Sequence, residues 1–124
     1  MKVVHSDKAP KALGPYAQAI ETNGMIFCSG QTGIDPATNT LVDGLEAQTR
    51  QVLSNLGVVL QEAGSSPSRV IKTTVFLADM QDFPVMNEIY GEFFGEHKPA
   101  RTTVQVAGLP LDARVEIECI ALAG

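Results

Sequence analysis

The sequence predicts an α+β fold in which one mixed β-sheet carries two helices packed on one of its faces. Three observations lead to this prediction: two stretches have apolar residues at helical spacing, short β-branched runs alternate in polarity, and the segments follow the order β-β-β-α-β-α-β-β. Two amphipathic helices need an apolar sheet face on which to pack. The opposite face would then be uncovered, and its apolar residues indicate an oligomer.

The first three strands are short. They are predicted at residues 2–5, 16–21 and 25–29. The third strand follows a turn signal at 22–24 and stops before Gly30. A polar loop that contains Asp35 and Pro36 follows. These strands would form one side of the sheet.

The first helix is predicted over residues 45–63. Asp43 and Glu46 match the pattern of a capping box at its start, and Gly64 is placed to end it. Its apolar residues recur at helical spacing, which predicts one buried stripe. The stripe consists of Leu45, Val52, Leu53, Leu56, Val59, Leu60 and Ala63.

A β-branched run at residues 70–77 predicts the next strand, and a second helix follows it. Asp82 is the predicted N-cap, the helix continues to about Phe94, and Gly95 lies beyond its end. The predicted buried face consists of Met86, Ile89, Tyr90 and Phe93.

Two β-runs, at residues 99–106 and 115–121, end the chain and are predicted to pair as a hairpin across a Gly/Pro/Asp turn. In the second run Glu116 and Glu118 share one side with Ile120. A sheet face that mixes charge with aliphatic surface indicates cover by a partner subunit. Arg101 and a glutamate would lie at that seam, where a small anion could bind and water could be activated.

Composition excludes several function classes. The chain has 124 residues, enough for one domain over 1–124, and is 44% hydrophobic and 19% charged, as is typical of a globular protein. Its net charge of −5 argues against a nucleic-acid partner, because phosphate binding needs clustered Lys and Arg. The roughly 20 consecutive apolar residues that span a membrane are absent, as is an apolar leader, so a cytoplasmic protein without membrane contact is expected.

Familiar catalytic motifs are missing as well. The sequence contains no GxxxxGK[ST], HExxH, CxxC or GxSxG pattern, and its two histidines, His5 and His97, are far apart, so neither a metal site nor a cofactor is expected. Cys28 and Cys119 lie in apolar runs and are predicted to be buried free thiols. Taken singly, Arg101 could also be a surface or interface ion pair, and Glu116 a solvated strand residue.

Six motifs together are more specific than any of these residues alone. They are Gly14-Pro15-Tyr16, Cys28-Ser29-Gly30-Gln31, the run at 70–76, the run at 86–90, Pro99-Ala100-Arg101 and Val115-Glu116-Ile117-Glu118. In this order and spacing the chain resembles, over essentially its whole length, the reactive intermediate/imine deaminases (the Rid or YjgF-like family), of the RidA type. The resemblance implies a chorismate-mutase-like fold and a homotrimer that binds small imino-acid or 2-keto-acid ligands at its subunit interfaces.

The resemblance also implies an activity. A 2-iminobutanoate/2-iminopropanoate deaminase, a hydrolase acting on C–N bonds, converts 2-aminoacrylate and 2-iminopropanoate to pyruvate and ammonia. An imine carbon is already electrophilic, so positioning, a cation and one carboxylate could suffice without a cofactor.

Site residues follow from the same resemblance. Arg101 matches the arginine that holds the substrate carboxylate, and Glu116 matches the glutamate that positions the attacking water. The matching substrate-binding positions are Tyr16, Ser29, Gly30 and Asn87, and Thr103 lies at a further substrate-binding position where its residue type departs from the family. Members often have a cysteine in place of Thr103, and an aromatic residue in place of Lys98.

Hairpin geometry and the family match disagree about the glutamate. In a simple hairpin Glu116 would lie about 13 Å along the sheet from Arg101, at about 3.3 Å per residue, and Glu118 would be closer. The family match favours Glu116. Both hold if Arg101 comes from one subunit and Glu116 from its neighbour.

Two other functions stay open. Some family members are described as ribonucleases or translation inhibitors, an activity that the acidic composition makes a poorer match. A non-catalytic ligand-binding or chaperone-like trimer is the other alternative.

Overall fold

The predicted α+β architecture is confirmed by the computed structural model, which describes residues 1–124. Six strands form a sheet in the order β1-β2-β3-β8-β6-β7, and two strands form a small ribbon, β4-β5. The strands are β1 Lys2–Val4, β2 Ala19–Thr22, β3 Met25–Gln31, β4 Ile34–Asp35, β5 Thr40–Leu41, β6 Val70–Leu77, β7 Ala100–Gln105 and β8 Val115–Leu122; the helices are α1 Leu45–Glu62 and α2 Phe83–Phe94. Only β6 and β7 are parallel, so the sheet is mixed.

Both helices pack on the same face of the sheet and form one core with it. The predicted stripe of α1 is buried from Val52 to Leu60, and Met86, Ile89 and Tyr90 of α2 are buried as predicted. On the sheet side the core includes alternate residues of β8, which are Val115, Ile117, Cys119 and Ala121. The period-2 pattern of β8 therefore fixes which of its side chains face away from the helices.

The ends of the helices differ partly from the predictions. Gly44, at φ 94°, holds the N-cap position of α1 and no side chain caps this end, so the predicted capping box is wrong. Gly64 ends α1 as predicted, since its φ of 78° lets its N–H bond the Gln61 carbonyl. Asp82 is at the N-cap of α2, but its carboxylate binds Arg114 at 2.9 Å rather than the helix backbone.

The strands before α1 also shift. β2 begins at Ala19, three residues later than predicted, because Tyr16 lies in a tight turn and the buried Gln18 side chain binds backbone groups of Ser6 and Pro10. The β4-β5 ribbon was not predicted. It lies in the loop before α1, and Asn39 adopts a left-handed φ of 59° in the turn that joins its strands.

The predicted hairpin of the last two runs is wrong. β6 lies between β7 and β8, so that Thr73 of β6 has Arg101 opposite it on one side and Cys119 on the other. The parallel pair β6-β7 is joined by α2, and parallel strands require such a crossover. The segment from β7 to β8 then passes the end of β6, where Val106 N–H bonds the Leu77 carbonyl and Ala78 N–H bonds the Arg114 carbonyl.

This topology separates the two charges that the sequence interpretation placed at one seam. Residues opposite each other in a ladder point to the same face, and Thr73 and Cys119 are buried under the helices. Arg101 therefore points to the helix face. Glu116 lies opposite Phe76 and points to the other face.

The face without helices carries exposed apolar side chains beside Glu116 and Glu118 and is uncovered within one chain. Phe27 is 42% exposed and Leu122 40% exposed, and the large side chains Ile71 and Val104 are exposed too. Several large exposed apolar side chains on one sheet face are typical of an interface. Neither helix is long and apolar enough to cross a membrane.

Candidate active site

The guanidinium of Arg101 is held by aromatic rings. Its Cζ atom lies 4.7 Å from the centre of the Tyr90 ring and 5.4 Å from that of Phe83. Arg101 takes part in none of the four ion pairs of the chain. Cation–π contact stabilises the charge without using the planar fork of N–H donors, so this fork remains free for a carboxylate.

The Tyr90 ring is itself fixed from the sheet. Its hydroxyl forms a buried hydrogen bond of 2.7 Å with the hydroxyl of Thr73, the residue opposite Arg101 in the ladder. Burial raises the pKa of Tyr90, so the phenol is neutral at physiological pH. The Arg101 side chain is thus placed by α2 and by β6 together.

A cavity of about 440 Å³ lies beside Arg101 at the C-terminal end of α2. Predicted site residues Asn87 and Arg101 both line it, so the structure brings these two together. The remaining lining residues are Tyr90, Gly91, Phe94, Gly95, His97, Lys98 and Pro99.

Thr103, a third predicted site residue, follows Arg101 on the same side of β7. Its hydroxyl oxygen is buried and has no hydrogen-bond partner in the chain. A buried polar atom without a partner costs about 1–3 kcal/mol, so such atoms in folded proteins call for an explanation. Thr103 does not line the cavity, so the structure does not bring it together with Asn87 there.

Glu116 forms a second cluster on the opposite face of the sheet. Its half-buried carboxylate covers Gly30, where an added Cβ would collide with the carboxylate carbon at 2.8 Å. Burial raises the pKa of Glu116, and the neighbouring charge of Glu118 raises it further. A carboxyl with a raised pKa can exchange protons more readily near neutral pH than an ordinary glutamate.

A β-bulge in β3 creates the space that Glu116 uses. Cys28 lies opposite Cys119 and Gln31 opposite Ile117, so two residues of β3, Ser29 and Gly30, face a single residue of β8. The sequence signal for this bulge is the Ser-Gly pair inside an apolar strand.

Predicted residues Tyr16 and Ser29 lie beside this bulge. The Ser29 hydroxyl donates to the Ala17 carbonyl at 2.6 Å, and Tyr16 lines a small pocket together with Gly30. The Tyr16 hydroxyl accepts a hydrogen bond from the N–H of Leu13 at 3.0 Å.

The two clusters are too far apart in one chain to hold one small molecule. Arg101 is level with Thr73 and Glu116 with Phe76, and β6 lies between them. Two strand spacings of about 4.8 Å and three residues of about 3.3 Å place their Cα atoms about 14 Å apart. Their side chains also leave the sheet on opposite faces.

The cysteines are free and buried, as predicted. A hydrogen bond between the two thiols raises the pKa of Cys119, and burial adds to this. Nucleophilic cysteines have a lowered pKa instead, so this pair behaves as core.

Phe83 and the ring of Tyr90 are site residues that the sequence interpretation missed. Tyr90 was predicted only as a core residue. The position of Tyr90 on the buried face of α2 was visible in the sequence. It points to a contact with Arg101 only once the β6-β7 pairing is known, because that pairing places Arg101 under the helix.

A family model described as Endoribonuclease L-PSP matches residues 6–123. The chain belongs to this family. The resemblance to the Rid or YjgF-like proteins is thereby confirmed, over nearly the whole length of this Rid-family chain.

Named relatives agree with this assignment. Reactive Intermediate Deaminase A, chloroplastic, of Arabidopsis thaliana is 52% identical over 97% of the chain, which spans 65% of that longer protein. The mouse 2-iminobutanoate/2-iminopropanoate deaminase is 49% identical over 99% of the chain and 92% of its own length. A crystal structure of E. coli TdcF with bound serine superposes with a TM-score of 0.96 at 40% identity, with full coverage of both chains.

Proposed function

We propose that this protein hydrolyses reactive enamine and imine intermediates, as a 2-iminobutanoate/2-iminopropanoate deaminase. The observation that carries the proposal is Arg101, a half-buried cation held between two rings with no carboxylate partner in its own chain. The names of the Arabidopsis and mouse relatives support the same reaction class.

In the proposed reaction Arg101 binds the substrate carboxylate through its fork of donors and neutralises its charge. Glu116 accepts a proton from water while the water oxygen bonds the imine carbon, and it returns the proton to nitrogen. Glu116 then carries the hydroxyl proton of the resulting carbinolamine to its nitrogen, the C–N bond breaks, ammonia leaves, and the carbonyl of pyruvate forms. No covalent intermediate with the protein is needed.

The proposed site is shared between subunits of a homotrimer. Arg101 and Glu116 lie on opposite sheet faces, about 14 Å apart at their Cα atoms by strand geometry, so one substrate reaches both only if they come from different chains. A heterologous interface that closes into a ring creates one such pairing per subunit. The apolar face that carries Phe27 and Leu122 is the surface proposed to be covered.

The other predicted residues divide between the two halves of this site. Asn87 and Thr103 belong to the Arg101 side, where Asn87 lines the cavity and is proposed to contact the substrate beyond its carboxylate. Tyr16, Ser29 and Gly30 belong to the Glu116 side, where the bulge is proposed to hold the water and the imine nitrogen.

Product release from an enzymatically generated imine tests the proposal. A pyridoxal-phosphate-dependent serine dehydratase produces 2-aminoacrylate, and semicarbazide traps the imine that escapes hydrolysis. We expect the protein to accelerate pyruvate formation and to suppress trapping, and Arg101→Ala to do neither. Equal trapping with and without the wild-type protein would contradict the deaminase proposal.

The family description favours one second candidate, an endoribonuclease. The net charge of −5 weighs against it, because RNA binding draws on clustered cations. Cleavage of a labelled RNA that depends on Glu116 and weakens steeply with salt would favour this candidate, whereas no cleavage would leave the deaminase.

A further inference from the structure

The cavity beside Arg101 is larger than a three-carbon substrate requires. Its volume is about 440 Å³. Cavities of about 300–1,000 Å³ enclose drug-sized ligands, whereas 2-iminopropanoate is far smaller. Within one chain, a substrate bound through its carboxylate at Arg101 would fill only part of this volume, which leaves room both for the neighbouring subunit's side of the proposed site and for a longer substrate side chain.

Two glycines, one in α2 and one at its C-terminal end, leave this space free of side chains. A Cβ added at Gly91 or at Gly95 would have no atom within 4 Å, so the helix wall is bare there. Phe94 and His97 line the same cavity. His97 is fixed in place, since its Nε2 donates to the Val70 carbonyl at 2.6 Å.

The charge of the cavity has one sign. Lys98 and Arg101 both line it, and no aspartate or glutamate does. Neither cation has a carboxylate of the chain within 4 Å. Two unpaired cations along one cavity favour a ligand with two anionic groups.

We propose that this cavity selects 2-imino dicarboxylic acids, with Arg101 at the α-carboxylate and Lys98 at the distal carboxylate. The inference rests on the proposed deaminase function and names its preferred substrate class. The hydrolysed C=N bond and the released ammonia are the same as for 2-iminopropanoate, and the product is the corresponding 2-oxo dicarboxylic acid. Only the side chain of the substrate differs.

Calorimetric binding of stable keto acids tests the distal contact apart from turnover. 2-Oxoglutarate and 2-oxohexanoate share the α-keto acid and differ in the end of the side chain. An exposed ion pair contributes up to about 1 kcal/mol, so we expect wild type to prefer 2-oxoglutarate about fivefold at low salt. Lys98→Met should remove this preference, Lys98→Glu should reverse it, and 0.5 M salt should reduce it.

Lys8→Met is the matched control, because Lys8 is exposed and does not line the cavity. It should keep the wild-type preference. An equal affinity of wild type for both keto acids, or a preference that survives Lys98→Met, would overturn the assignment of Lys98.

Turnover then separates this inference from the proposed function. Amino-acid oxidases generate the imines of glutamate and norleucine, which form the same matched pair. Higher kcat/KM for the glutamate imine in wild type but not in Lys98→Met supports the inference. Hydrolysis of both imines without dependence on Lys98 overturns the inference and leaves the deaminase, whereas hydrolysis of no imine, 2-iminopropanoate included, overturns both.

Discussion

At the scale of single residues, the contacts of Arg101 set it apart from the paired arginines. Arg50 and Arg114 bind carboxylates of the chain, so their charges are used within the fold. Arg101 instead contacts the faces of Tyr90 and Phe83. Its cation is therefore stabilised and its hydrogen-bond donors are left for a ligand.

Arg101→Lys keeps the charge but removes the planar fork and the ring stacking. We expect kcat/KM for imine hydrolysis to fall at least about 100-fold, by loss of a charge-assisted bidentate contact. Circular dichroism and the melting temperature should stay close to wild type. Arg50→Lys, at an exposed ion pair, is the control and should retain full turnover; near-normal turnover of Arg101→Lys would remove the clamp from the mechanism.

The pH profile reports on Glu116. Burial and then Glu118 raise the pKa of Glu116, and a raised pKa means that the charged base is lost at a higher pH than for an ordinary glutamate. Activity that needs the carboxylate should thus fall as pH drops through this raised pKa. Glu118→Gln removes the like charge, so the acidic limb of kcat/KM should move to lower pH, while burial keeps part of the shift.

Glu116→Gln provides the matching measurement. It should abolish hydrolysis, and it should not destabilise the fold at neutral pH, because a raised pKa means that folding favours the uncharged carboxyl. An acidic limb that stays in place or moves upward in Glu118→Gln would contradict the coupling between the two glutamates.

At the scale of elements, the β-bulge of β3 connects backbone geometry to the carboxylate of Glu116. Gly30→Ala places a methyl group where that carboxylate lies. We expect kcat to fall at least about tenfold because Glu116 is displaced from its catalytic position. A displacement of about 1 Å can lower a reaction rate by about 100-fold. Stopped-flow hydrolysis and thermal melting would measure the two effects separately.

Gly57→Ala is the control for this substitution. Its Cβ would meet only the Phe93 ring at 3.7 Å, an ordinary contact in the helix α1, and alanine favours helix. It should therefore keep activity and gain up to about 1 kcal/mol of stability. A Gly30→Ala protein as active as Gly57→Ala would show that Glu116 needs no room at the bulge.

Elements with a local signal could be predicted from the sequence, and pairings between distant elements could not. Periodicity over one segment was enough for β6, which spans residues 70–77 as predicted, and for the buried stripe of α1. The hairpin prediction failed because two alternating runs with a turn between them do not reveal that β6 is inserted. This error also hid the contact of Arg101 with Tyr90.

At the scale of the whole molecule, the sheet has one face covered by helices and one without cover. Arg101 belongs to the covered face and Glu116 to the open one, so the proposed site exists only where two chains meet. Sedimentation equilibrium should give about three times the chain mass, as a closed ring of three predicts. A persistent monomer would leave each half of the site alone.

Mixed trimers test the shared site most directly. Arg101→Ala and Glu116→Gln chains should each be inactive alone. After exchange in equal amounts, half of the chains present an intact Arg101 and half an intact Glu116, so about a quarter of the interfaces of a closed ring receive both. Activity should thus recover to about a quarter of wild type, with subunit exchange followed by native mass spectrometry. Recovery in proportion to the mixed species supports residues from two chains, because no single chain in the mixture carries both. Confirmed exchange without recovery would place both residues in one chain, which the strand register opposes, and would end the shared-site proposal.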